Sequence, residues 1–394
     1  MVKLGDVCEI KHGYAFKGKF FSDEPTNYLL LTPGNFAIGG GFQEKPKYYS
    51  GEILENYVLN KEDLIVTMTD LSKQGDTLGY SALVPLDNKY LHNQRIGLVS
   101  ITDSCVLKDY IYWLMRTRDY QKYIVNHASG STVKHTSPKS ILSYEFDLPD
   151  LETQRTIAAT LSALDDKIAV NTKINHNLEY MAQVIFKSWF VDFEPWGGVM
   201  PDDWCIKKIG DLCQSISKTH SRKKDELIFL NTGDIDRGLF LHSTYRTVCD
   251  MPGQAKKSIA KNDILYSEIR PINKHYAYVS FEAEDYVVST KLMVIRTTGI
   301  DSRRLYQYLT SDDVIAELQV EAESRSGTFP QIRFENIQNL EIIMATPKIE
   351  NQFSTILHSI YNTIDINNAD STQLMVLRDN LLPKLMSGEL SISG

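Results

Sequence analysis

Two stretches of the chain place apolar residues at alternating steps of four and three. The first runs through Ile157, Leu161, Leu164, Ile168, Asn171, Asn175, Leu178, Ala182, Ile185 and Trp189. The second runs through Ile349, Phe353, Ile356, Ile360, Thr363, Asn367, Asp370, Leu374, Leu377 and Leu381. This is the heptad spacing of a helix that buries one seam against a partner. Polar residues interrupt the middle of both seams, and asparagines there fix register, because a slipped pairing would bury an amide without a partner. Thr153 or a neighbour begins the first helix, and the aromatic run from Trp189 leads to its end at Pro195. Helices of this kind either cap their own domains or pair as a spacer. About 40 residues at ~1.5 Å each make a rod of roughly 60 Å, longer than a cap needs, so the spacer is favoured. Lying along a duplex, such a rod spans at most about 18 base pairs.

Outside the two helices, short β-branched and aromatic runs alternate with turns rich in Gly, Asn and Asp, and this pattern occurs twice. Lys3-Leu4-Gly5-Asp6-Val7-Cys8 returns as Lys208-Ile209-Gly210-Asp211-Leu212-Cys213. A turn follows in each half (Thr32 to Phe36; Asn231 to Ile235), then an acid-led apolar strand (Glu62-Asp63-Leu64-Ile65-Val66; Asn262-Asp263-Ile264-Leu265-Tyr266). Next come a second strand (Gly97 to Ile101; Leu292 to Ile295), a Tyr-rich helical stretch (Tyr110 to Tyr123; Leu305 to Leu318) and a small-residue loop (Ser129-Gly130-Ser131-Thr132; Ser326-Gly327-Thr328). Each half reaches a proline (Pro149, Pro347) and closes with a long helix. Duplication explains this order with one assumption. The expected fold class is α+β, with two pseudo-symmetric mixed domains, 1–150 and 196–346, and two helical regions, 151–195 and 347–394.

A chain of 394 residues, 42% hydrophobic and 23% charged, suits two ordinary globular domains. No run approaches the ~18 apolar residues of a membrane span, and MVKLGDVCEI lacks the features of a secretory signal, so a cytoplasmic location is expected. The five cysteines (Cys8, Cys105, Cys205, Cys213, Cys249) are scattered without a C-x-x-C, which points to reduced, packed thiols. A net charge of −8 argues against indiscriminate DNA coating, yet it permits a specific reader with local basic patches.

Catalytic signatures are missing from the sequence. Gly13 to Phe20 nearly spells a P-loop, but Phe20 occupies the position that should offer a hydroxyl to magnesium. Glu9-Ile10-Lys11 has nuclease spacing without a preceding metal-binding acid, and Asp6 is better read as a cap or turn residue. There is no Asn-Pro-Pro-Tyr-like tetrapeptide, no Gly-rich strand-turn-helix, and the nine histidines form no metal motif.

The exit Phe186-Lys187-Ser188-Trp189-Phe190-Val191-Asp192-Phe193-Glu194-Pro195 and the C-terminal Leu377-Arg378-Asp379-Asn380-Leu381-Leu382-Pro383-Lys384-Leu385-Met386-Ser387-Gly388-Glu389-Leu390 resemble the conserved regions of type I restriction-modification specificity subunits. So do Ser129 to His135 and Tyr90 to Arg95, and the resemblance covers the whole chain in order. It implies two target-recognition domains held by an antiparallel helix pair, each domain reading half of an asymmetric bipartite DNA site. It implies no catalytic centre, metal or cofactor in this chain. Two methyltransferase subunits carrying S-adenosylmethionine would bind the helices, and motor-nuclease subunits using ATP and Mg2+ would join the restriction-competent assembly. The second small-residue loop departs from the first, reading Ser326-Gly327-Thr328-Phe329-Pro330-Gln331 where the first reads Ser129-Gly130-Ser131-Thr132-Val133-Lys134.

Phosphates are held by cations, hydroxyls and amides, and base edges by Arg, Lys, Asn, Gln and carboxylates on loops. In the first half the candidates are Lys17, Lys19, Thr69, Ser72, Lys73, Gln74, Asn93, Gln94, Arg95, Ser129, Ser131, Thr132, Lys134 and His135. In the second they are Lys218, His220, Ser221, Arg222, Lys223, Lys224, Ser267, Arg270, Thr290, Lys291, Arg325, Ser326, Thr328, Gln331 and Arg333. The 218–224 run packs four cations into seven residues, while Asn93-Gln94-Arg95 serves equally well as a reader or as the shape of a strand end. Three functions follow for comparison: a DNA-recognition scaffold for a modification complex, a free-standing DNA enzyme for which no cofactor pocket is visible, and a decoy that occupies methyltransferase subunits without reading DNA. The first fits best.

Overall fold

The computed structural model describes residues 1–72, 74–325 and 328–391, with the side chain of Arg325 also left aside. The chain divides into two compact units, Met1–Ala169 with Asp370–Gly394, and Val170–Ala369. Each long helix, Leu151–Phe190 and Pro347–Met386, therefore gives one half to each unit.

In the first unit an antiparallel sheet has the order Cys8–His12, Ile96–Ile101, Leu64–Thr67, Ser81–Leu83. A second sheet orders Phe21–Ser22, Tyr48–Tyr49, Tyr28–Leu30, Tyr90–Leu91 and Val58–Leu59, with Tyr28–Leu30 and Tyr90–Leu91 parallel. The second unit repeats the first sheet and has a four-stranded counterpart of the second. Cys213–Ser215, Leu292–Thr297, Ile264–Ser267 and Tyr276–Tyr278 form one sheet. Tyr245–Thr247, Glu226–Leu230, Tyr286–Ser289 and Ala255–Ser258 form the other, again with one parallel pair. A two-stranded ribbon closes each copy, Val2–Lys3 with Glu145–Phe146 and Cys205–Lys208 with Glu341–Met344.

The apolar strands are buried on both faces because alternate side chains feed different cores. Leu64 and Val66 pack with the helical core around Trp113 and Tyr120, while Ile65 packs with Leu31, Phe36 and Ile96 in a separate core. Likewise Ile264 and Tyr266 join the core around Phe186 and Phe353, and Leu265 joins Ile228 and Val288. The residue two places before each strand, Glu62 and Asn262, adopts positive φ (66° and 70°). Leu4 N–H donates to the Tyr144 carbonyl at 2.9 Å, and Ile209 N–H repeats this with Leu340 at 2.9 Å. The duplication read from the sequence is thus present down to single hydrogen bonds.

The two long helices pack antiparallel. In the first unit Asp165 of the central helix accepts from Arg378 of the C-terminal helix at 2.6 Å. In the second, Phe186 meets Phe353 with ring centroids 6.3 Å apart. Asn175 and Asn367 bond side chain to side chain at 2.8 Å, Asn175 donates to Asn368 Oδ1 at 2.8 Å, and Asn171 donates to the Asn367 carbonyl at 3.4 Å. Asn171 and Asn175 are buried, and their amides are paired across the two helices rather than left without partners. Ile157, Leu161 and Ala182 are buried, and Leu164, Ile168, Leu178, Ile185 and Trp189 are half-buried. The seam of the C-terminal helix needs correction. Ile356, Ile360, Asn367, Leu374 and Leu381 face inward, but Thr363 is exposed and Leu377 is 46% exposed. Past Ile360 the buried face moves one residue on, through Ile364, Arg378, Leu382 and Leu385. An α-helix turns every 3.6 residues, so a strict 3.5 template drifts off the contact face over several turns.

Candidate nucleic-acid interface

Loops far apart in sequence meet at one end of the main sheet in each unit. In the first, Met68 N–H donates to the Arg95 carbonyl at 2.9 Å and Thr136 N–H to the Met68 carbonyl at 3.0 Å. Thr69–Asp70 pairs antiparallel with Lys134–His135. In the second, Glu268 N–H donates to the Lys291 carbonyl at 3.0 Å, Ile332 N–H to the Glu268 carbonyl at 2.8 Å, and Ile269 bridges Gln331. The same backbone frame is therefore built twice. It equates Met68 with Glu268, Arg95 with Lys291, Asp70 with Arg270 and His135 with Gln331. A hydroxyl supports it in both copies: Thr67 Oγ1 donates to the Thr69 carbonyl at 3.0 Å, and Ser267 Oγ to the Ile269 carbonyl at 3.2 Å.

Several candidates from the sequence belong to the framework rather than to the open face. Thr69 is buried and shares a 3.1 Å hydrogen bond with His135 Nδ1, and Ser267 is buried beneath Ile269. Ser72 Oγ accepts from the amides of Gly75 and Asp76 at 3.0 and 2.9 Å, a turn-forming role. Asp70 shapes the same loop by accepting from the amides of Ser72 at 2.6 Å and Thr77 at 2.5 Å and from the Thr77 hydroxyl at 2.8 Å. Burial raises its carboxyl pKa, but these donors outweigh burial and hold it below the usual carboxylate value.

Other candidates are open to solvent. Gln94 and Arg95 are exposed on the turn entering Ile96–Ile101, with Asn93 half-buried, so this run both shapes the strand end and presents side chains. Gln74, Ser129, Ser131, Thr132 and His135 are exposed, and Lys134 is half-buried. Ser129 and His135 exchange backbone bonds of 2.9 and 2.8 Å. The tip needs Gly130 (φ +93°), where a Cβ would lie 2.0 Å from the Val133 carbonyl oxygen. Lys17 and Lys19 are exposed around the turn Gly18–Phe20, outside this frame. Lys73, Ser326 and the side chain of Arg325 lie outside the described residues.

In the second unit Arg270, at φ 43°, donates to the carbonyls of Pro330 (3.2 Å, backbone) and Thr328 (3.4 Å, guanidinium). Thr328 is exposed, Arg333 is exposed before the helix Phe334–Gln338, and Thr290 N–H ties to the Gln254 carbonyl at 3.0 Å. Lys291 Nζ donates to Gln331 Oε1 at 3.2 Å and to Glu268 Oε2 at 3.4 Å.

The 218–224 run lies along Ala255–Ser258, where Thr219 bridges Lys257. It lines a cavity of about 540 Å³ with Ser258, Glu284 and Arg296. Lys218, Ser221 and Lys223 are exposed, but part of the run is engaged: Lys224 pairs with Asp285, and Arg222 donates to the Ala255 carbonyl. His220 Nε2 faces the Glu284 carbonyl at 3.0 Å and its Nδ1 faces the Arg222 amide at 3.0 Å. A carbonyl only accepts and an amide only donates, so Nε2 donates to Glu284 and Nδ1 accepts from Arg222, which gives the ring a structural role. Lys257, which is not among the candidates from the sequence, reaches the Leu292 carbonyl at 2.9 Å and links the run to the frame. Burial lowers its pKa, Glu268 opposes that, and Lys291 adds to it.

In each unit an arginine of the mixed domain is fastened to a long helix. Arg116 donates to Asp165 at 2.6 Å in the first unit and Arg303 to Asp365 at 2.6 Å in the second. Among the described residues no group of three or more His, Cys, Asp or Glu side chains could hold a metal, and no helix is long and apolar enough to cross a membrane.

Duplicated mixed domains on an antiparallel helix pair, each ending in polar loops, define a two-domain recognition scaffold. The family model for the type I restriction modification DNA specificity domain matches residues 1–180 and 201–375, and the chain belongs to this family. It is a DNA specificity subunit of a type I restriction-modification system, itself non-catalytic. It is 38% identical over 168 residues to the HindI specificity subunit of Haemophilus influenzae, a match covering 42% of this chain and 37% of that one. It is 24% identical over 429 residues to the EcoBI specificity subunit of Escherichia coli, covering 99% and 86%. The crystal structure of the type I restriction-modification S subunit from M. genitalium shares the fold, with a TM-score of 0.57 at 14% identity, covering 99% of this chain and 96% of that one.

Proposed function

We propose that the chain reads an asymmetric bipartite site in double-stranded DNA, one half per domain, and scaffolds two adenine methyltransferase subunits on its helices. The observation that carries this reading is the twice-built frame: the same backbone presents Arg95 and His135 in one copy and Lys291 and Gln331 in the other. Equal scaffolds with unequal side chains suit two different half-sites. The domains 1–150 and 196–346 would carry the reading, and the helical regions 151–195 and 347–394 the gap. Partner docking has its own support. Val170, Ile174, Met181 and Val184 on the central helix are 40–50% exposed at heptad spacing, a second apolar stripe beside the buried seam. S-adenosylmethionine would sit on the methyltransferase subunits, and ATP with Mg2+ on motor-nuclease subunits.

Co-purification with the methyltransferase subunits followed by selection from random duplexes tests this. Expected are two methyltransferase copies per chain and enrichment of two unlike short motifs at a fixed gap. A stable complex that enriches nothing would replace the reading with that of a decoy.

A further inference from the structure

We infer that Gln331 and His135 are corresponding base-reading positions, and that Lys291 orients Gln331 so that its amide nitrogen is offered to an acceptor on a base edge. The inference rests on the DNA-reading function proposed above and names the side chains that set it.

Gln331 is fixed from both sides. Its backbone bridges Ile269, and the next residue donates to the Glu268 carbonyl at 2.8 Å. The Lys291 ammonium can only donate, so at 3.2 Å it faces the amide oxygen and turns Nε2 away from itself. Lys291 is in turn held by Glu268 at 3.4 Å. Gln331 is half-buried, open enough to touch a ligand yet tethered, and a side chain oriented before binding loses less entropy on binding. Its neighbours are spent on the loop: Arg270 on the Thr328 and Pro330 carbonyls, and Ser267 on Ile269. The first copy carries His135 at the same point, held by Thr69 at 3.1 Å and exposed. An amide donor suits purine N7 or guanine O6, whereas a carboxylate at this point suits the amino group of cytosine.

The test uses the chain co-expressed with its methyltransferase subunits in a methylation-free host, with modified bases mapped across the genome. Gln331→Glu retains an acceptor for Lys291, so the frame persists while the donor is lost. Expected is a changed base at one position of one half-site, with methylation of the parent motif reduced on the order of tenfold or more. The other half-site and the gap stay as they were. Gln331→Ala relaxes that same position, and His135→Ala acts on the opposite half-site only. Parent motif and rate retained in Gln331→Glu would overturn the inference, as would either Gln331 variant altering both half-sites. A parent complex with no bipartite motif would instead refute the reading on which it rests.

Discussion

Asp165 joins two arginines that otherwise have little reason to share a neighbourhood. Its Oδ2 accepts from Arg116 at 2.6 Å and its Oδ1 from Arg378 at 2.6 Å. The Arg116 side chain is only 3% exposed and Arg378 16%. Asp165→Asn keeps the shape but removes the charge that compensates a buried guanidinium. Breaking a buried pair from one side costs about 3–5 kcal/mol. Arg116 keeps the Gly39 carbonyl at 3.0 Å and the Tyr112 hydroxyl at 2.6 Å, and Arg378 keeps Asp379 at 2.7 Å, so the lower end applies. A loss of about 3 kcal/mol should lower the melting temperature of the first unit by roughly 6–12 °C. Differential scanning calorimetry measures this directly, and the double variant Asp165→Asn with Arg116→Met should recover part of it. An unchanged transition in the single variant would refute the view that this carboxylate anchors the first domain to the helices.

His92 is buried, donates from Nε2 to the Ile96 carbonyl at 2.9 Å, and its pKa is lowered to about 4, mainly by burial. The folded value lies below the unfolded one, so its contribution is present above about pH 6.5 and is lost as pH falls toward 4. Urea unfolding across that window should show uptake of about one proton on unfolding, absent in His92→Gln. Asn175→Leu strands the Asn367 amide and should destabilise the helix pair by about 2 kcal/mol, read from its urea midpoint. Gly130→Ala should disrupt the Ser129–His135 loop and weaken DNA binding at the first half-site, measured by duplex competition, while leaving the second unchanged.

The parts of this molecule legible in the sequence are those set by short periodicities and by repetition. The helices were readable because apolar positions recur every three or four residues, and the duplicated domains because Lys3–Cys8 returns at Lys208–Cys213. Leu377 escaped because a fixed heptad ignores the drift of a 3.6-residue turn. Sheet order and the anchors Arg116–Asp165 and Arg303–Asp365 join residues far apart in sequence, and no local pattern announces such contacts. Composition also cannot tell an outward hydroxyl from an inward one. Thr69, Ser72 and Ser267 look like phosphate ligands in sequence, yet their oxygens bond within the loops. The structure does bring several of the candidate loops together at one end of each main sheet, because topology gathers loop ends whatever each side chain does.

The most direct test of two independent readers on one scaffold is to exchange residues 196–346 for the corresponding domain of a relative with different specificity. The hybrid is co-expressed with the methyltransferase subunits in a methylation-free host, and its modified bases are mapped. Expected is a bipartite motif in which one half-site changes while the other half and the gap stay fixed. A change in both halves, or a motif that ignores the exchange, would contradict the assignment of one half-site to each domain.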